Sequence, residues 1–274
     1  MDAAALNMTT EIRGHGFFLF VHLPRARADR KLIDALEAIG APLENVHDVD
    51  GYPTEHASRR GRLQYLRAET PVTEWDLPDT GMTGANILVR LEGRTRDPLV
   101  AYEREVRALV ERRGGSVHAR AGINKERTYT SYAMTQFAYA PALPPRPGAA
   151  CPLGVVTPQN KTPEWWAMDW MRRESFFLPR YDDRGKIIAQ GHALASAAGI
   201  PCITRRLVHH PDGYGLGTGY DFIGYFEFAE ADASVFREVM AGLRNRAQNP
   251  EWSYVREGPE WWGRRVATAE ELWA

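Results

Sequence analysis

The chain has 274 residues, 44% of them hydrophobic and 25% charged, enough for one large domain or two ordinary ones built on a real core. Its 34 Lys and Arg nearly balance 35 Asp and Glu, which argues against a nucleic-acid or anionic-membrane surface. Only Cys151 and Cys202 are present, too few and too far apart for a disulfide framework or a paired-cysteine metal motif, and they read as reduced thiols. The N-terminus has no basic segment followed by an apolar core, and no apolar run approaches a membrane span, so a cytoplasmic protein is expected.

In chain order, Phe17–Leu23 is an apolar run rich in aromatic and β-branched residues and predicts a buried strand. Helical spacing of Ala28, Leu32, Ala35, Leu36 and Ile39 follows, ended by Gly40. From Ala41 to Gly84 the chain is polar and rich in Pro and Gly; it reads as loop, with one short strand near Asn45–Val49. Asn86–Glu92 predicts a strand, and Leu99, Tyr102, Val106, Leu109 and Val110 mark one face of a helix that Gly114-Gly115 ends. Strands are expected at Ser116–Ala121 and Tyr129–Tyr139, and Pro141 to Pro152 forms a proline-rich linker.

Beyond the linker the order recurs. Leu153–Val156 predicts a strand, and Glu164 to about Ala198 reads as mainly helical with a break at Leu178-Pro179. Strands at Ile203–His209 and Asp221–Phe228 flank a glycine-rich turn, a helix runs over Ser234–Arg246, and Trp252–Arg256 closes as a strand. Aligned directly, residues 86–122 parallel 221–258: Asn86 meets Asp221, Glu92 meets Glu227, Tyr102 meets Phe236 and Leu109 meets Leu243. Two βαββαβ halves follow, at 14–140 and 153–266. The expected fold class is α+β, tandem ferredoxin-like repeats whose sheets pack into a dimeric-type α+β barrel within one chain.

No GxSxG, P-loop or HExxH motif occurs. The informative stretch runs from Thr157 to Glu227. It holds KTPEWW at 161–166, a lone His192 in a helical segment, Arg205 on the next strand, and YDFIGYFEF. A lone helical histidine is ordinarily a satisfied surface or core side chain, and Arg205 beside Arg206 is ordinarily a surface ion-pair former. Two neighbours favour ligation instead. Small residues after His192 allow a flat cofactor to approach, and Arg205, thirteen positions on, can reach that cofactor's far side.

This ordered set resembles the chlorite dismutase family of haem proteins over roughly residues 153–266. The resemblance implies haem b, with His192 as the axial iron ligand and Lys161, Trp165 and Trp166 lining the haem edge and propionates. Arg205 becomes the distal catalytic cation, Phe226 a wall of the distal pocket, and the assembly a homo-oligomer, pentameric by family habit. Three departures stand out. Gly224 occupies a position that is usually threonine in chlorite-decomposing relatives, which implies an opened distal pocket. Gln248 aligns with the carboxylate that holds the axial histidine, which implies weaker electron donation to iron. The Tyr214–Gly219 loop is longer. The strand before Lys161 reads LGVVTPQN without the redox tyrosine of the coproporphyrin-haem decarboxylase branch, which sets that activity aside. The expected function is a haem-dependent enzyme acting on a small oxidant or a small organic N–O or O–O substrate. Chlorite decomposition to chloride and dioxygen is the first alternative, and a non-catalytic haem carrier or sensor the second.

Overall fold

The computed structural model describes residues 14–46, 61–69, 76–77, 81–124, 148–217 and 219–274. The strand expected at Tyr129–Tyr139 and most of the proline-rich linker lie outside them. The first half contains β1 (Gly14–His22), α1 (Arg30–Gly40), β2 (Glu44–Asn45), β3 (Arg62–Ala68), β4 (Ile87–Gly93), α2 (Asp97–Glu111) and β5 (Ser116–Asn124). Asp29 caps α1, its Oδ1 accepting the Leu32 amide at 2.8 Å, and Pro98 sits in the first turn of α2, where its missing N–H costs nothing.

The second half contains β6 (Leu153–Lys161), α3 (Pro163–Ala167), α4 (Trp170–Ser175), β7 (Arg180–Tyr181), β8 (Ile187–Ala189), α5 (Gly191–Ala195), β9 (Thr204–His209), β10 (Phe222–Phe228), α6 (Ala233–Arg244) and β11 (Val255–Glu257); β12 (Trp261–Val266) ends the set. The segment 164–198 is therefore not one interrupted helix. Two short helices and a β7–β8 hairpin precede the five-residue α5 that carries His192. Trp252 lies in a 3-10 turn spanning Pro250–Tyr254, and only Val255 onwards is strand.

Strands are ordered β5-β1-β4-β3 in the first half and β11-β6-β10-β9 in the second, antiparallel throughout. The two four-strand sheets join where β5 meets β9 and where β12 bridges β3 and β6, so the sheet closes into a barrel. Asn86 and Asp221, matched by the internal alignment, do matching work. Asn86 bonds the backbone N–H and C=O of Leu23 just beyond β1, and Asp221 accepts the backbone N–H of Lys161 at the end of β6.

Strand alternation then sorts the side chains. Phe18, Phe20, Leu66, Leu88, Val156, Val208, Ile223 and Tyr225 fill the barrel. Phe17, Leu19, Tyr65 and Val89 point outwards under α1 and α2, and Val155 and Phe228 point outwards under α6. The outer face of the second half bears Lys161, Arg205, Gly224 and Phe226.

Candidate functional site

On that outer face, β6 presents Val155, Thr157, Gln159 and Lys161, while β9 presents Arg205 and His209 and β10 presents Phe222, Gly224 and Phe226. The registers place Phe226 opposite Arg205 and Gly224 between Thr157 and Leu207. Between this face and the helices lies a cleft of about 810 Å³, counting space open to solvent. Arg205, Phe226 and Phe222 line the strand side; His192, Ile200, Val239 and Met240 line the helical side.

His192 is held by its short helix and by a carboxylate. Gly191 adopts φ +63°, and a Cβ there would stand 2.5 Å from the Leu178 carbonyl oxygen, so the close approach requires glycine. The amides of His192 and Ala193 donate to the carbonyls of Phe176 and Phe177, which fastens α5 onto the end of α4. His192 Nδ1 then lies 2.8 Å from Glu251 Oε2, and Lys161 Nζ lies 2.5 Å from Glu251 Oε1. All three groups are buried. Burial alone would raise the Glu251 carboxyl; the charges of Lys161 and His192 outweigh it and hold the group well below the ordinary range.

Glu251 corrects the expectation for Gln248. The position aligned with the carboxylate contributes only its backbone carbonyl, which accepts the amides of Gln190 and Gly191. The carboxylate comes three residues later, from the 3-10 turn. A signal was present: Glu251 is the single acidic residue between Glu238 and Glu257, and it sits between Pro250 and Trp252.

Lys161 is likewise committed to Glu251. Its ammonium also lies 4.3 Å from the Trp165 ring centroid, with Trp165 fully buried behind it against Phe176, Phe177 and Tyr254. Trp166 stacks on Tyr214 at 4.8 Å and donates its indole N–H to Asp221 Oδ2 at 3.1 Å. The tryptophan pair thus braces the site from behind and beside it and does not wall the cleft.

Gly224 does not open the cleft either. A Cβ there would stand 2.7 Å from Thr157 Oγ1 and 3.0 Å from Phe226 Cε2. The space a threonine would use at 224 is already occupied from the facing strand. Cys151 and Cys202 are both free thiols, and no described helix is long and apolar enough to cross a membrane.

No family model and no curated protein sequence matches the chain. Solved structures do. A doubly substituted chlorite dismutase from Candidatus Nitrospira defluvii superposes with a TM-score of 0.67 at 17% identity, covering 96% of this chain and 95% of its own. A singly substituted form of that enzyme gives 0.66 at 18% identity over 99% and 98%. The same enzyme in complex with imidazole gives 0.63 at 19% identity over 99% and 98%. End to end, the chain has the fold of chlorite dismutase, the family its motifs resemble.

Proposed function

We propose that the chain binds haem b through His192 and acts as a haem-dependent oxidoreductase on a small oxidant, chlorite or a peroxide. The observation that carries this reading is the buried Lys161–Glu251–His192 chain facing Arg205 across an apolar cleft. Among the described residues no three His, Cys, Asp or Glu side chains converge as a bare-ion site. A lone imidazole backed by a carboxylate, at the edge of an apolar slot, is the donor set of a haem iron. The residues present fit that group. Haem supplies an iron centre that exchanges electrons with an oxidant; the chain supplies everything around it.

With Nδ1 engaged by Glu251, ligation falls to Nε2. The Glu251 carboxylate holds the ring's orientation and tautomer and raises its basicity. Lys161 balances the buried carboxylate, so the negative charge is retained without water. On the opposite wall, the Arg205 guanidinium attracts an anionic oxidant and stabilises negative charge that develops on a departing oxygen. Phe226 and Phe222 keep that wall apolar, which strengthens the electrostatic contribution of Arg205.

Chlorite rises level with peroxide because two of the three departures, Gly224 and Gln248, lack the consequences expected of them. Thr157 fills the space expected to be vacant at Gly224, and Glu251 provides the carboxylate not found at Gln248. Two ferredoxin-like repeats from one duplication, and assembly into a homo-oligomer in the cytoplasm, complete the proposal. The matching strand orders and the matching Asn86 and Asp221 ties support the duplication.

The test is haem content and turnover. Purified protein is expected to show a Soret band that His192→Ala loses; the same band in that variant would overturn the ligand. Oxygen evolution from chlorite that Arg205→Ala abolishes establishes the chlorite reaction, whereas consumption of peroxide alone assigns the peroxide reaction. A chain that turns over neither and passes its haem readily to apo-myoglobin is a carrier.

A further inference from the structure

The outer sheet face carries a second cluster beyond Arg205. Strand alternation puts His209 on the same side as Arg205, and His209 is fully buried. The Tyr214 hydroxyl lies 2.5 Å from His209 Nδ1. The Tyr214 ring stacks on Trp166 with 2° between the planes and lies 4.9 Å from Phe222, whose ring also lines the cleft. Asp221 fixes the arrangement from both sides, accepting the Gly215 amide at 2.6 Å and the Trp166 indole N–H at 3.1 Å. A phenol one ring away from the cleft is thus bonded to a base and stacked on an electron-rich indole.

We propose that Tyr214 is a redox-active tyrosine with His209 as its proton acceptor, carrying an oxidising equivalent from the cleft to the exposed residues 215–217 beside it. The proposal rests on the haem reading and takes a hydroperoxide as oxidant. Cleavage of the O–O bond consumes two electrons and two solvent protons and leaves an alcohol, or water from hydrogen peroxide, plus water. Tyr214 supplies one of these electrons, and a haem held by His192 would supply the other. As Tyr214 loses its electron, the O–H bond breaks and the proton moves to His209 Nδ1, leaving a neutral phenoxyl beside an imidazolium. Without a base at that distance a phenol resists this loss, because its oxidised, still protonated form is a strong acid; an imidazole is the side chain suited to take the proton and return it near neutral pH. Two equivalents of a one-electron donor close the cycle: one, arriving at the loop, restores Tyr214 as His209 returns the proton, and the second would replace the electron taken from the haem.

Haem-loaded protein is mixed with hydrogen peroxide, freeze-quenched and read by electron paramagnetic resonance. A tyrosyl signal is expected in the wild type. Tyr214→Phe, which keeps the ring stack, and His209→Gln should lose it while the Soret band stays unchanged. An equal signal in Tyr214→Phe overturns the assignment, as does a wild type with an intact Soret band and no tyrosyl signal. Protein with no Soret band overturns the haem reading and this one with it. Should Tyr214→Phe fail to fold, spin trapping on the wild type decides: an adduct on the Tyr214 peptide supports the proposal, and adducts on other tyrosines alone refute it.

Discussion

Glu251 Oε2 lies 2.8 Å from His192 Nδ1, and the other oxygen of that carboxylate lies 2.5 Å from Lys161 Nζ. One buried anion therefore fixes the His192 ring and neutralises a lysine. Glu251→Gln keeps the shape and removes the charge. Haem affinity is expected to fall about 10- to 100-fold, read as transfer to apo-myoglobin. The Lys161 ammonium, left buried without its carboxylate, should cost the fold about 3 to 5 kcal/mol. Pairing Glu251→Gln with Lys161→Met is expected to recover much of that stability but not the haem affinity. Unchanged haem transfer in Glu251→Gln would show that the carboxylate does not tune the ligand.

Thr157 and Gly224 form one packing unit across β6 and β10. A Cβ at 224 meets Thr157 Oγ1 at 2.7 Å, so Gly224→Ala should destabilise by about 1 to 3 kcal/mol in chemical denaturation. Adding Thr157→Gly should relieve the crowding. The two changes are expected to show a favourable coupling of about 0.5 to 3 kcal/mol. Simple additivity would mean that the two positions do not share space.

Glu227 is buried inside the barrel, with Arg265 Nη1 3.2 Å from Oε2 and Gln64 Nε2 donating to Oε1 at 3.1 Å. Burial opposes ionisation, but the Arg265, Arg90 and Arg206 charges prevail and lower its pKa below the ordinary 4.5. Because the folded value is the depressed one, this stabilisation is present above the unfolded value and disappears as pH falls through the folded value. Glu227→Gln should cost about 3 to 5 kcal/mol near neutral pH and should lose less stability than the wild type on acidification below 4.5. Parallel stability-against-pH curves would contradict this.

Asp221 accepts from the Lys161 and Gly215 amides and the Trp166 indole, so one carboxylate ties β6, α3 and the 213–217 segment together. Asp221→Asn is expected to cost about 1 to 3 kcal/mol and to speed proteolytic cleavage within that loop. A cleavage rate like the wild type's would show that the loop is held by its ring stack alone.

The apolar strands β1, β4 and β10 and the helices α1, α2 and α6 were legible because period-2 and period-3.6 patterns sit in plain sequence. β3 was not. Arg62, Gln64 and Arg67 make RLQYLRA look like loop, yet Gln64 is buried in a strand because it bridges Arg90 and Glu227. β12 was missed for the same reason, since the buried Arg265 finds its partners in Glu227 and in the Val46 carbonyl, both distant in sequence. Polar residues inside a barrel reveal themselves only when their partners are known. At the site, the spacing from Lys161 through His192 to Arg205 was readable, because each residue sits on its own regular element. The Glu251 contact depends on a turn whose register shifts by three residues, and the filling of Gly224 by Thr157 depends on cross-strand register. Neither leaves a local pattern.

Closure of the barrel is uneven. β12 ties the halves on one side through eight register pairs, four to β3 and four to β6, whereas among the described residues a single pair, Ile123 with His209, joins β5 to β9. The molecule resembles a cylinder welded along one seam and latched along the other. If the halves part transiently, they part at β5 and β9, so amide exchange should be fastest along the β9-facing side of β5 and slowest on β6. The latch residue is His209. Any event that redistributes charge there acts at the seam where, among the described residues, β5 and β9 share a single register pair.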